Sequence, residues 1–200
     1  MDKADVISQV CDALTNDDFG TARRIAQSDY PFTPAVRSVR QYTKLQSLAI
    51  FSRDGFIDRY SGSKLIFPGA LRLLSIMLPE EFPAHPNWKM TESHLVFWEL
   101  FPTIDHVIPV GRGGADAEHN WVTTSMLRNS AKSAWTLTEL GWTKYPPGDS
   151  GAWDGLVNWF VQTTQAHPHL LSDKYVLGWS SAARRFANEK ARHQHRSKNP

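Results

Sequence analysis

The stretch Ile104-Asp105-His106-Val107-Ile108-Pro109, followed by Gly111-Arg112-Gly113-Gly114, then Asn120-Trp121-Val122-Thr123, then Asn129-Ser130-Ala131-Lys132, decides the fold. Ile104, Val107, Ile108 and Val110 predict a short strand up to Pro109. Gly111 to Gly114 mark a tight turn region, where glycine allows positive φ. Trp121-Val122-Thr123 predicts a second short strand. Thr124 or Ser125 can cap a helix that runs to about Trp135. The order is strand, glycine-rich loop, strand, helix.

Outward from this stretch the pattern is helical. Val6, Ile7, Val10, Cys11 and Leu14 recur at helical spacing and predict a helix over 3–14. Asn16 or Asp17 can cap a second helix through about Gln27. Pro31 and Pro34 break the chain, and Arg37 to Phe51 reads as helical again. Ala70 to Met77 is a short apolar helix stopped by Pro79, and another covers Thr91 to Leu100. Pro146-Pro147-Gly148 marks a boundary before two closing helices, Trp153 to Thr164 and Ser172 to Lys190.

The central residues carry the chemistry. A carboxylate such as Asp105 is a hard oxygen ligand suited to magnesium or manganese. Neighbours on a strand point to opposite faces, so Asp105 and His106 meet the same site only if the strand ends or is bulged there. A histidine in that place can take a proton from water. Asn129, early in the helix, can complete a metal site with Asp105. Asn120 can hydrogen-bond backbone or the imidazole and orient it. Lys132, three residues after Asn129 and on the same helix face, can reach a phosphate, and Arg112 in the glycine-rich loop can meet DNA. Together these groups imply metal-assisted hydrolysis of a phosphodiester, with His106 activating the water.

The pattern resembles the HNH nuclease family: Asp-His, a proline three residues after the histidine, Gly-Gly, an asparagine opening the second strand, and Asn-x-x-Lys on the helix, in order over residues 104–132. The resemblance implies His106 as general base, Asp105 and Asn129 as metal ligands and Asn120 as the structural asparagine. With Asn129 in the third position the chain is similar to the HNN variant. The fold class it implies is α+β, mostly helical, with a ββα-metal core at about 100–136 embedded between helical flanks 1–99 and 137–200, in a single domain over 1–200. One Mg2+ or Mn2+ per site is expected.

Arg53 to Gly62 looks like the stretch that carries a Cys-x-x-Cys knuckle in zinc-bearing members of the family. Here those positions hold Asp58 and Ser61, and the second pair falls at Ser125 and Arg128. All four thiolates are absent, so no structural zinc is expected, since a closed zinc site needs four good ligands. Packing by Trp121, Trp135, Trp142 and the flanking helices is expected to take the place of that zinc.

The rest of the composition sets bounds. The chain has 200 residues, 41% hydrophobic and 12% aromatic, an ordinary globular composition. No stretch approaches the roughly 18 consecutive apolar residues of a membrane helix, and the charged Met1 to Asp5 leads into no apolar segment, so a cytoplasmic setting is expected. Cys11 is the only cysteine and reads as a small buried helix residue. Net charge is only +2, but Arg184 to Pro200 carries six basic residues against Glu189, a tail that can contact phosphates or be solvated. His94 is the best histidine outside the central stretch. The expected function is a DNA endonuclease acting on double-stranded DNA, with no membrane partner. The alternatives are a nuclease acting on RNA or branched DNA and a non-catalytic DNA-binding module. A homodimer would permit double-strand cutting.

Overall fold

A computed structural model describes residues 2–32 and 42–198, with side chains through residue 192. Contacts divide the chain into two compact units, Met1–Arg37 and Ser38–Pro200, where the sequence predicts one domain over 1–200. In the first unit α1 (Lys3–Thr15) packs on α2 (Phe19–Asp29). The side chains of Asp2 and Asp18 cap the two helices by accepting from the N–H groups of Ala4 and Thr21. Val6 and Ala22 are its buried residues, and Cys11 is exposed. The expectation of a buried Cys11 is thus corrected: α1 buries Val6 and half-buries Val10 and Ala13, and Cys11 lies on its exposed side.

The second unit is α+β, mostly helical, with a small two-stranded antiparallel sheet. It begins with α3 (Lys44–Arg53), capped by a reciprocal Thr43–Gln46 box. The part of the predicted helix over 37–41, and Pro34, lie outside the described residues. Next come α4 (Pro68–Met77), which places proline at its first position, and the single turn α5 (Val96–Glu99). Strand β1 (Pro102–His106) pairs with β2 (Trp121–Ser125), Asp105 opposite Val122 and His106 opposite Trp121. Helix α6 (Met126–Lys132) follows β2 directly, its first turn capped by Ser125. Strand β1 stops at His106, three residues short of the predicted end, because Ile108 N–H and C=O turn to the Asn120 side chain rather than to a strand. Helix α6 ends at Lys132 rather than Trp135, since Ser133 adopts φ 46° and ψ −123°. The single turn α7 (Leu137–Leu140), then α8 (Val157–Ala166) and α9 (Lys174–Lys198) close the chain. No described helix is long and apolar enough to cross a membrane.

The main core lies between α3, α4, α8 and α9. Phe67 stands at its centre, fully buried, with Phe160 and Trp179 edge-on at 5.1 Å each and Phe56 at 6.4 Å. Helix α3 touches both α9 and the two strands. It is therefore the beam that joins the helical core to the sheet. Of the three tryptophans predicted to extend the core, Trp135 is 42% exposed, and Trp121 and Trp142 are half-buried beside polar groups. That expectation is corrected: the phenylalanines of the helical core supply the bulk instead.

Candidate active site

The turn between α3 and α4 docks on β2 through carboxylates. Asp54 and Asp58 are almost fully buried. Asp54 accepts from Thr123 N at 2.7 Å, and Asp58 accepts from Ser125 N at 3.0 Å and Thr124 Oγ1 at 3.0 Å. The backbone N–H of Arg59 donates to Thr123 O at 2.9 Å, so the turn imitates a third strand along β2. Asp54 is balanced by Arg59 at 2.8 Å and Arg53 at 3.1 Å. Three of the four knuckle-like positions meet here: Asp58 binds Ser125, and Arg128 Nε lies 3.8 Å from Asp58 Oδ2. A polar clasp of a buried carboxylate and backbone donors stands where the thiolates are absent.

This clasp delivers Tyr60 to Asp105. Tyr60 Oη donates to Asp105 Oδ2 at 2.6 Å, and Lys132 Nζ approaches the same oxygen at 2.9 Å while donating to His106 O at 2.7 Å. Burial, then the negative charge of Asp105, pushes the Tyr60 hydroxyl far above the usual phenol range, so it stays a donor. Lys132 is fully buried. Its predicted reach to a phosphate is therefore corrected: the ammonium points inward and fixes Asp105 and the end of β1.

Asn129 donates through Nδ2 to Thr103 Oγ1 at 2.9 Å and to Ile104 O at 3.3 Å, which brings it alongside β1 next to Asp105. Asp105 Oδ1 and Asn129 Oδ1 accept no hydrogen bond from the described residues. Two hard oxygens of this kind fit a Mg2+ or Mn2+ ion, which takes one or two protein oxygens and completes its shell with water and substrate phosphate. Among the described residues no group of three or more His, Cys, Asp or Glu could hold a metal.

His106 faces a different set of neighbours, as strand alternation predicts. Its Nε2 lies 2.8 Å from Asp116 Oδ1 and 3.0 Å from Trp121 Nε1, and Trp121 Nε1 also donates to Asp116 Oδ1 at 3.0 Å. Tyr42 Oη, just before α3, is 3.5 Å from the same nitrogen and 3.4 Å from Asp116. The His106 side chain is only 4% exposed, whereas that of Asp116 is 49% exposed. The cluster accommodates either state of Nε2. Without a proton the nitrogen accepts from Trp121; with one it donates to Asp116, and Trp121 then serves the carboxylate.

Asn120 turns to the backbone. Its Oδ1 accepts from Ile108 N at 2.9 Å, and its Nδ2 donates to Ile108 O and Ala115 O at 2.8 Å each. It clasps the loop that carries Asp116, and Gly114 is needed there because a Cβ would strike Ile108 O. Arg53 holds the same loop from α3, donating to Glu118 O at 3.0 Å and Trp121 O at 2.6 Å. Arg112 is forked onto Glu139 of α7 at 2.9 and 3.2 Å, an ion pair that ties the loop to α7. His94 accepts from Val96 N and packs on Phe82, away from the cluster.

Asp105, Asn129 and Lys132 thus gather on one side of the end of β1, and the His106 ring meets Asp116, Trp121 and Tyr42 on the other. Sequence reasoning missed Tyr42, Tyr60 and Asp116, which lie 64, 45 and 10 residues from their partners. Only Asp116 had a local signal, as an acid inside the loop already singled out. No family model, curated protein or solved structure matches the chain.

Proposed function

We propose that the chain is an HNH-type endonuclease, with β1, β2 and α6 as its ββα-metal core, that hydrolyses phosphodiester bonds in double-stranded DNA with one Mg2+ or Mn2+. The observation that carries this reading is the His106–Asp116–Trp121 triangle set one residue from a clamped carboxylate. Asp105 and Asn129 are the residues that would hold the cation. When bound, it supplies positive charge to the scissile phosphate and the leaving oxygen.

The chain's own groups do the rest. His106 takes the proton of the attacking water, and the Asp116 carboxylate beside its ring stabilises the imidazolium that forms. Tyr60 and Lys132 keep Asp105 Oδ2 occupied and so orient the whole carboxylate. Asn120 acts on the loop frame and not on the reacting atoms.

Asp116→Asn keeps the shape of the triangle but removes the charge that faces the imidazolium. It is expected to slow cleavage about ten- to a hundredfold, less than the roughly hundred- to ten-thousandfold that loss of a general base itself costs, because the imidazole remains in place. The test incubates wild type and this variant with supercoiled plasmid, single-stranded DNA, RNA and branched duplex. Plasmid nicking slowed in the variant supports the reading; cleavage confined to RNA or branched DNA would redirect the substrate class, and an unslowed variant would remove Asp116 from the mechanism.

A further inference from the structure

Two residues beyond Tyr42, at most about 7 Å of backbone, the chain enters a cavity of about 260 Å³ lined by Thr43, Lys44, Gly178, Ser181 and Arg185, with Leu45 and Ala182 as its apolar floor. No acid lines it. Lys44 and Arg185 make no ion pair with any described residue. The ammonium of Lys44 lies over the rings of Tyr175 and Trp179, at 5.3 and 5.7 Å from their centroids, which holds it in one place. Glycine weakens a helix interior relative to alanine, yet Gly178 sits inside α9. A Cβ there would stand 3.1 Å from Lys44 Cε, so the glycine provides the room in which Lys44 lies.

We infer that Lys44 and Arg185 form a phosphate subsite that holds the DNA backbone a few nucleotides from the bond cleaved at His106. The inference rests on the nuclease reading and adds a place where the strand is gripped. Tyr42 links the two places: its hydroxyl is 3.5 Å from His106 Nε2, and its chain leads directly to Thr43 and Lys44 at the cavity mouth. Two cations without an acidic partner among the described residues, one of them with its ammonium set against aromatic rings, meet a phosphodiester through charge and carry no base readout. The subsite would therefore set the position and direction of the strand and leave sequence preference unchanged.

The test uses the full chain carrying His106→Ala, in EDTA, and follows binding of a labelled duplex over a range of salt. Each phosphate contact contributes about 0.9 to the slope of log affinity against log salt. Lys44→Ala and Arg185→Ala are expected to lower the slope by about that amount each, the double variant by roughly twice as much, with unchanged thermal melting. Gly178→Ala, which crowds Lys44 and leaves charge intact, is expected to weaken binding in the same direction. A double variant with the parent slope would overturn the subsite alone. So would an equal loss in Lys89→Ala, a cation paired with Glu92 outside the cavity. A His106→Ala parent that binds no DNA would overturn the nuclease reading and the subsite together.

Discussion

Lys132→Met is expected to destabilise the protein by about 3–5 kcal/mol, the usual loss when one partner of a buried ion pair is removed. Methionine keeps the length and apolar stem of lysine, so the effect isolates the ammonium. That ammonium is wholly inaccessible and bridges Asp105 Oδ2 at 2.9 Å to His106 O at 2.7 Å. Without it the Asp105 carboxylate keeps Tyr60 as its partner, and β1 is left tied to α6 through Asn129 but not at His106 O. At about 2–4 °C per kcal/mol for a chain of this size, melting falls by roughly 10 °C. Cleavage falls with it even at temperatures where the variant is folded, because Asp105 is no longer held. Melting equal to wild type would show that Tyr60 and the surrounding backbone suffice.

The second large effect is expected at Asp58. Its carboxylate accepts from Tyr60 N at 2.9 Å, Thr124 Oγ1 and Ser125 N. Asp58→Ala leaves these buried donors without an acceptor at about 1–3 kcal/mol each, a total of about 3 kcal/mol or more after relaxation. Asp58→Asn keeps one acceptor oxygen and recovers part of the loss. Because this clasp is built from a carboxylate, a hydroxyl and backbone N–H donors, EDTA is expected to leave wild-type melting unchanged. The check is thermal melting of the three proteins with and without chelator. A fall in wild-type melting on chelation would mean that a metal supports the fold after all.

The hairpin and its helix were legible because their signals are local. Alternating apolar residues, glycines at the loop and a serine cap each act within a few residues. Boundaries shifted where a side chain from elsewhere won the backbone: Asn120 took Ile108 out of β1, and Ser133 ended α6. Periodicity alone does not show how the first two helices pack, since a pair that buries Val6 and Ala22 among the described residues has the same pattern as a flank packed on a core. At the site, sequence spacing named Asp105, His106 and Asn129, but it could not say that Lys132 turns inward. A lysine at the end of a short helix reads as solvated; only the approach of Tyr60 and Asp105 from other elements makes a buried place for it. Tyr42 and Tyr60 were invisible for the same reason, since their partners are distant in sequence and near only after α3 and its following turn have docked on β2.

The measurement that tests the central claim most directly is supercoiled plasmid incubated with Mg2+ or Mn2+ and wild type, beside His106→Ala and an EDTA control. The expected result is nicked or linear product with wild type, none in EDTA and none with His106→Ala, whose melting stays close to wild type. Product that persists at the wild-type rate in His106→Ala, or in EDTA, would contradict a metal-dependent nuclease with His106 as its base.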